Sequence, residues 1–218
     1  MICESWCVME RDINIIKRIE QMSSSKSSTD LFKRSFEAFR WKRNRVKRNI
    51  VLILICIIPS YSMGVSEETK NLFCDSLGDI LGIFLAILGI VFTGYALFQA
   101  IINDELLIKL LEIKSDENDN QSKLQETNES FAMLMMQNLM IIVLSLVLKM
   151  TISGLNDEFL LFESISFSNV TAIILMIIFY FVVGIILCEL KSFIFNIYQL
   201  FNLSSVTRIL EIMQSKKK

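Results

Sequence analysis

Apolar residues arrive in long runs separated by polar stretches, and each run is close to the length of a membrane crossing. Uninterrupted apolar runs of about 18 residues or more read as spans. The pattern predicts spans over 50–65, 77–102, 131–152 and 170–190. The first is short: its 16 residues make a helix of about 24 Å, against a hydrocarbon core of about 30 Å. Pro59 lies inside it and is expected to kink or end the helix. It still counts as a span, because flanking residues snorkel or the bilayer thins.

The polar stretches carry their own signals. Over residues 1–22, Ile2, Trp6, Met9, Ile13 and Ile16 recur at four-three spacing, which predicts an amphipathic helix. That helix either lies on the protein or bilayer surface or pairs with a second copy. It is no secretory signal, lacking a basic start, an apolar core and a cleavage site. Residues 23–49 form a Ser-rich linker and then a basic interfacial helix, with Ser28, Thr29 and Asp30 as candidate caps. Trp41 suits the membrane interface. The second span is expected to continue as helix through NDELLIKLLEIK. The acidic stretch 114–130 reads as a mobile loop. Residues 191–218 predict a cytoplasmic helix and a basic tail.

Composition sharpens this into an all-α integral membrane protein. Of 218 residues, 53% are hydrophobic and none is histidine. Without histidine, the commonest general base and metal ligand are missing. The five cysteines, Cys3, Cys7, Cys56, Cys74 and Cys188, are scattered, whereas a structural zinc site usually needs four grouped ligands. No enzyme, cofactor or metal site is expected. Cys74, in an outer loop, is either a free thiol or half of an intersubunit disulfide. Net charge is only −1, yet sign is segregated: residues 1–49 hold 12 Lys and Arg, 103–130 hold 3 and 191–218 hold 5. The positive-inside rule then places both termini in the cytoplasm.

Four groups of residues are candidates for function. Gly78, Gly82, Ala86, Gly89, Thr93, Ala96 and Ala100 repeat at four-three spacing along the second span. Small residues let helix backbones approach in lipid. The same face would line a narrow, mostly apolar pore if that helix surrounded a symmetry axis. Asp79 and Lys149 lie at similar depth near the outer surface, and either snorkel separately or pair. Gln99, Asn103, Gln137 and Asn138 gather near the cytoplasmic ends of spans two and three, either tying helices together or lining a vestibule. Finally, Arg40, Lys42, Arg43, Arg45, Lys47 and Arg48 form a collar before the first span. It either anchors topology against anionic lipid or docks a cytoplasmic protein, nucleotide or oligonucleotide.

The collar FRWKRNRVKRN and the run IVFTGYALFQAIINDELLIKLL, in which a span flows into a polar-capped helix, carry a resemblance. The layout is similar to four-span membrane components of bacterial antiphage systems, notably Hailong-type pore effectors and Kiwa-type membrane sensors. That resemblance implies a homo-oligomer, a tetramer by preference, which acts on membrane integrity or senses its disturbance under a cytoplasmic partner's control. It assigns no site residue. The leading expectation is a pore-forming effector gated by a cytoplasmic ligand or partner. The alternative is a sensor or scaffold that recruits a soluble partner through its basic face. A secondary transporter fits less well, since only Pro59 interrupts a span and the membrane centre is nearly free of charge.

Overall fold

A computed structural model of the chain describes residues 16, 19, 20, 28–36, 45–113, 122–155 and 165–215. Most of the expected amino-terminal helix, the Ser-rich linker up to residue 27, Trp41 and the end of the tail lie outside the described residues. Among the described residues six helices follow one another: α1 (Ser28–Ser35), α2 (Val46–Val65), α3 (Thr69–Ile101), α4 (Asp104–Glu112), α5 (Lys123–Ser153) and α6 (Ile165–Ser215). Among the described residues there is no strand. Helices α2, α3, α5 and the Phe167–Ile209 stretch of α6 are each long and apolar enough to cross a membrane. This is the character of a multi-pass membrane protein.

The helices are longer than the apolar runs. Helix α2 begins at Val46, and its 20 residues give about 30 Å, matching a bilayer core. It passes through Pro59 unbroken. Proline removes the donor for the carbonyl four residues earlier. That residue, Ile55, lies on an exposed face, where no close packing depends on the lost bond. The expected continuation of α3 does not occur. The helix stops at Ile101, and Asn103 begins α4, its side chain accepting from the Leu106 amide at 2.9 Å. The reading of 114–130 as loop is also corrected from Lys123 onward, where α5 has begun. Ser122 Oγ accepts from the Gln125 amide at 3.2 Å, a capping arrangement that starts the helix.

The chain forms two packing units. One comprises Ser35–Phe92 and Leu134–Ser192. Its core joins Leu77 and Phe84 of α3, Ile141 and Ile142 of α5, and Phe179, Val183 and Ile186 of α6. Leu77 and Phe84 fall seven residues apart, and Phe179, Val183 and Ile186 four and three apart, the spacing of single helix faces. Helix α2 packs on α6 where small residues permit it. A Cβ on Gly64 would collide with Ile173, and one on Gly184 would stand 3.3 Å from Leu52 Cδ2. Tyr180 donates to Met63 Sδ at 3.4 Å, so Ser76 supplies the hydrogen in the 2.7 Å Ser76–Tyr180 bond.

The other unit comprises Met1–Arg34, Thr93–Met133 and Phe193–Lys218. Phe131 sits at its centre, stacked on Phe98 at 5.6 Å and edge-on to Phe193 at 4.7 Å. Leu106, Leu110 and Leu124 are buried in this unit. The Lys123 amide donates to the Ile113 carbonyl at 2.9 Å, tying the end of α4 to the start of α5. Arg34 of α1 pairs with Glu129 of α5.

Candidate functional site

The small-residue face of α3 is not used uniformly. At Gly78 it is occupied: a Cβ there would stand 2.5 Å from Lys149 Nζ. Beyond it the face opens. Gly82, Ala86, Gly89, Thr93, Ala96 and Ala100 are all exposed. Among the described residues, nothing lies within 4 Å of where a Cβ would stand on Gly82 or Gly89. The buried residues of α3, Leu77, Phe84, Val91 and Phe98, recur at exact heptad spacing on a different face. Helix α3 therefore turns one heptad stripe of large side chains into the protein, while the small-residue stripe from Gly82 onward lies outward beside exposed large side chains such as Ile83, Ile90 and Phe92.

Lys149 and Asp79 do not pair in the chain. The ammonium of Lys149 rests over the glycine notch at Gly78, and Asp79 is exposed. The four amides serve different ends. Gln137 donates to the Ser35 carbonyl at 2.8 Å, tying α5 to the end of α1. Asn138 donates to Leu134 of its own helix at 2.7 Å, leaving its buried Oδ1 without a partner among the described residues. Asn103 caps α4, and Gln99 is exposed.

In the collar, Arg40, Lys42 and Arg43 lie outside the described residues, and Lys47 is exposed. Arg45 and Arg48 each reach Glu189 of α6 at 3.2 Å. Arg48 also donates to Asn49 Oδ1 at 3.3 Å, and Asn49 is fully buried. One carboxylate thus holds two guanidiniums at the start of α2. Partial burial makes removing one partner of such a pair costlier than at a solvent-exposed one.

Glu189 was not among the residues singled out from sequence. Its signal was available: it is an acidic residue one position from the end of the fourth span, level with basic residues just before the first. Ser60 and Ser145 were missed as well. Both hydroxyls are fully buried without a hydrogen-bond partner among the described residues, in the same unit as Asn138. Cys74 Sγ lies 3.6 Å from Ser153 Oγ, and its thiol is free. No protein-family model, curated protein or solved structure matches the chain.

Proposed function

We propose that this protein is a self-assembling channel of a bacterial inner membrane, with both termini in the cytoplasm, whose copies meet along the small-residue face of α3. One observation carries the reading: from Gly82 to Ala100 that face is exposed rather than packed within the chain. Lipid tails fill space around leucine as well as around glycine, so lipid alone gives no reason for a face without side chains. Close approach of a second helix does, because association in lipid runs on van der Waals packing. The near-3.5-residue period favours a left-handed crossing. Closed into a ring, the copies would enclose a narrow, mostly apolar path that opens and closes by wetting. A cytoplasmic ligand or partner would set that balance, in keeping with the resemblance to antiphage effectors.

Replacing Gly89 or Ala96 with Trp is expected to abolish potassium release from expressing cells while the protein stays folded in the membrane. Normal release from a folded variant would end the conduction argument.

A second reading, a sensor or scaffold, has its own support. The far part of α6 exposes Ile194, Tyr198, Val206, Ile209 and Ile212, an apolar surface suited to a soluble partner. Under that reading, Tyr198→Glu with Ile209→Glu releases the partner and leaves membrane leak unchanged.

A further inference from the structure

A cleft of about 200 Å³ opens within the unit that contains Phe131, between α4, α5 and α6. That volume lies between the roughly 150 Å³ cavity that holds a benzene and the roughly 300 Å³ at which drug-sized pockets begin. It suits one slim apolar body. The floor is apolar: Leu110, Phe131, Phe193, Leu200 and Leu203 line it. The first three are buried, and Phe131 is fixed by its ring contacts with Phe98 and Phe193. The floor is therefore preformed.

The rim is polar and carries no net charge. Lys123 Nζ contacts both carboxylate oxygens of Glu126, at 3.1 and 3.0 Å. An anionic head would have to compete with that carboxylate, and a cationic one with the ammonium. Thr127 and Ser130 give their hydroxyl hydrogens to backbone carbonyls of α5, each at 2.8 Å. Their oxygens keep lone pairs and so can still accept. Asn196 and Gln199 on α6 are exposed lining residues with no hydrogen-bond partner among the described residues. Each amide both donates and accepts. The rim is thus suited to a head with hydroxyl groups, which donate to Thr127 and Ser130 and accept from the amides.

We infer that this cleft binds a single acyl chain beneath an uncharged, hydroxylated head, the chemistry of a monoacylglycerol. Such a compound comes either from the bilayer's neutral glycerolipids or as a free metabolite. The inference deepens the channel reading, on which it rests only for its consequence, that the amphiphile controls opening. Binding itself requires neither assembly nor conduction.

The test uses the full chain in nanodiscs and a decanoylglycerol carrying a diazirine at the chain end, with labelled peptides mapped by mass spectrometry. Labels are expected on peptides covering 110–113 and 193–203. Decanoylglycerol is expected to displace the probe at least about tenfold better than decanoate, a difference of about 1.4 kcal/mol. Leu200→Trp, which fills the cleft, should reduce labelling at least about tenfold. Ser130→Phe fills it from α5 and stands in if Leu200→Trp does not fold. Asn196→Leu with Gln199→Leu should keep the label but erase the preference over decanoate. Equal competition by decanoate, labelling unchanged in a folded filling variant, or labels spread along the outer faces of α2 and α3 would each overturn the assignment. Solvent extraction of the purified protein separates the sources: a co-purifying neutral glycerolipid indicates the bilayer, an empty cleft that fills on addition indicates the free compound, and both support the site. Specific labelling with no ion flux would leave the cleft standing and remove the channel.

Discussion

Glycine substitutions separate the faces that hold one chain together from the face proposed to join copies. At Gly64 an added Cβ meets Ile173 near its branch point rather than at a flexible tip, with Cδ1 only 2.8 Å away. Overpacking of this kind costs about 1–3 kcal/mol. At Gly184 the nearest atom is a terminal methyl of Leu52 at 3.3 Å, which shifts easily, so Gly184→Ala is expected to cost less than about 1 kcal/mol. At Gly82 and Gly89 there is open space within 4 Å. Alanine there is neutral for the isolated chain, or favourable by up to about 0.5–1 kcal/mol per site as helix propensity improves. The order of destabilisation is therefore Gly64, then Gly184, then Gly82 and Gly89 together. Thermal unfolding in dilute detergent, where copies stay apart, measures it. Cross-linking in dense vesicles then reads assembly. Gly82→Leu with Gly89→Leu should sharply reduce cross-linked species, whereas Gly64→Ala should leave them intact well below its unfolding temperature. A Gly89→Leu chain as unstable as Gly64→Ala would show that the face is packed internally. Undiminished cross-linking would show that assembly does not use it.

Two other perturbations test the local chemistry. Glu189→Gln leaves Arg45 and Arg48 without their shared carboxylate, at sites where all three side chains are mostly buried; a loss of about 1–2 kcal/mol is expected. That loss should shrink as salt screens the uncompensated charges, and a salt-independent loss of equal size would assign it to packing. Asn103→Ala removes the cap of α4 and should cost about 1 kcal/mol, read as faster amide exchange at Leu106 while α3 is unaffected.

What the sequence made legible follows from how local each signal is. Apolar runs locate α2, α3, α5 and the first part of α6, because burial in lipid must be satisfied along each segment by itself. Helix ends were harder. Lys47, Arg48 and Asn49 lie within α2 although they are polar, since a helix does not stop where its solvent changes. The start of α5 was signalled by Ser122 and Gln125, three residues apart, but the polar composition of 114–130 masked that pair. The opposite error hid the break at Asn103: hydrophobicity resumes immediately in Leu106 and Leu107, so a cap was read as continuous helix. The ion-pair cluster was harder still, because Arg48 and Glu189 are 141 positions apart. Finding it required knowing which spans are neighbours. The small-residue period located a face on α3, but no period says whether that face is filled by the same chain.

The route of any conducted ion can be decided by the same logic. Between copies, the path would follow the α3 face, whose one hydroxyl is Thr93. Within one chain, it would have to use the polar atoms buried in the Ser35–Phe92 and Leu134–Ser192 unit. Asn138 and Ser145 lie seven residues apart on α5, hence on one face and about 10 Å apart along the axis. Both oxygens lack partners. If those oxygens touch neither water nor ion, Ser145 is only an unsatisfied hydroxyl. Ser145→Ala is then neutral or stabilising by up to about 1 kcal/mol, and flux does not change. If they solvate an ion, the same variant loses stability or flux, while Gly89→Trp leaves flux intact. Measuring both variants for unfolding temperature and potassium release separates the routes. A Ser145→Ala channel of normal stability and flux, beside a silent Gly89→Trp, is the outcome the outward-facing glycines of α3 require.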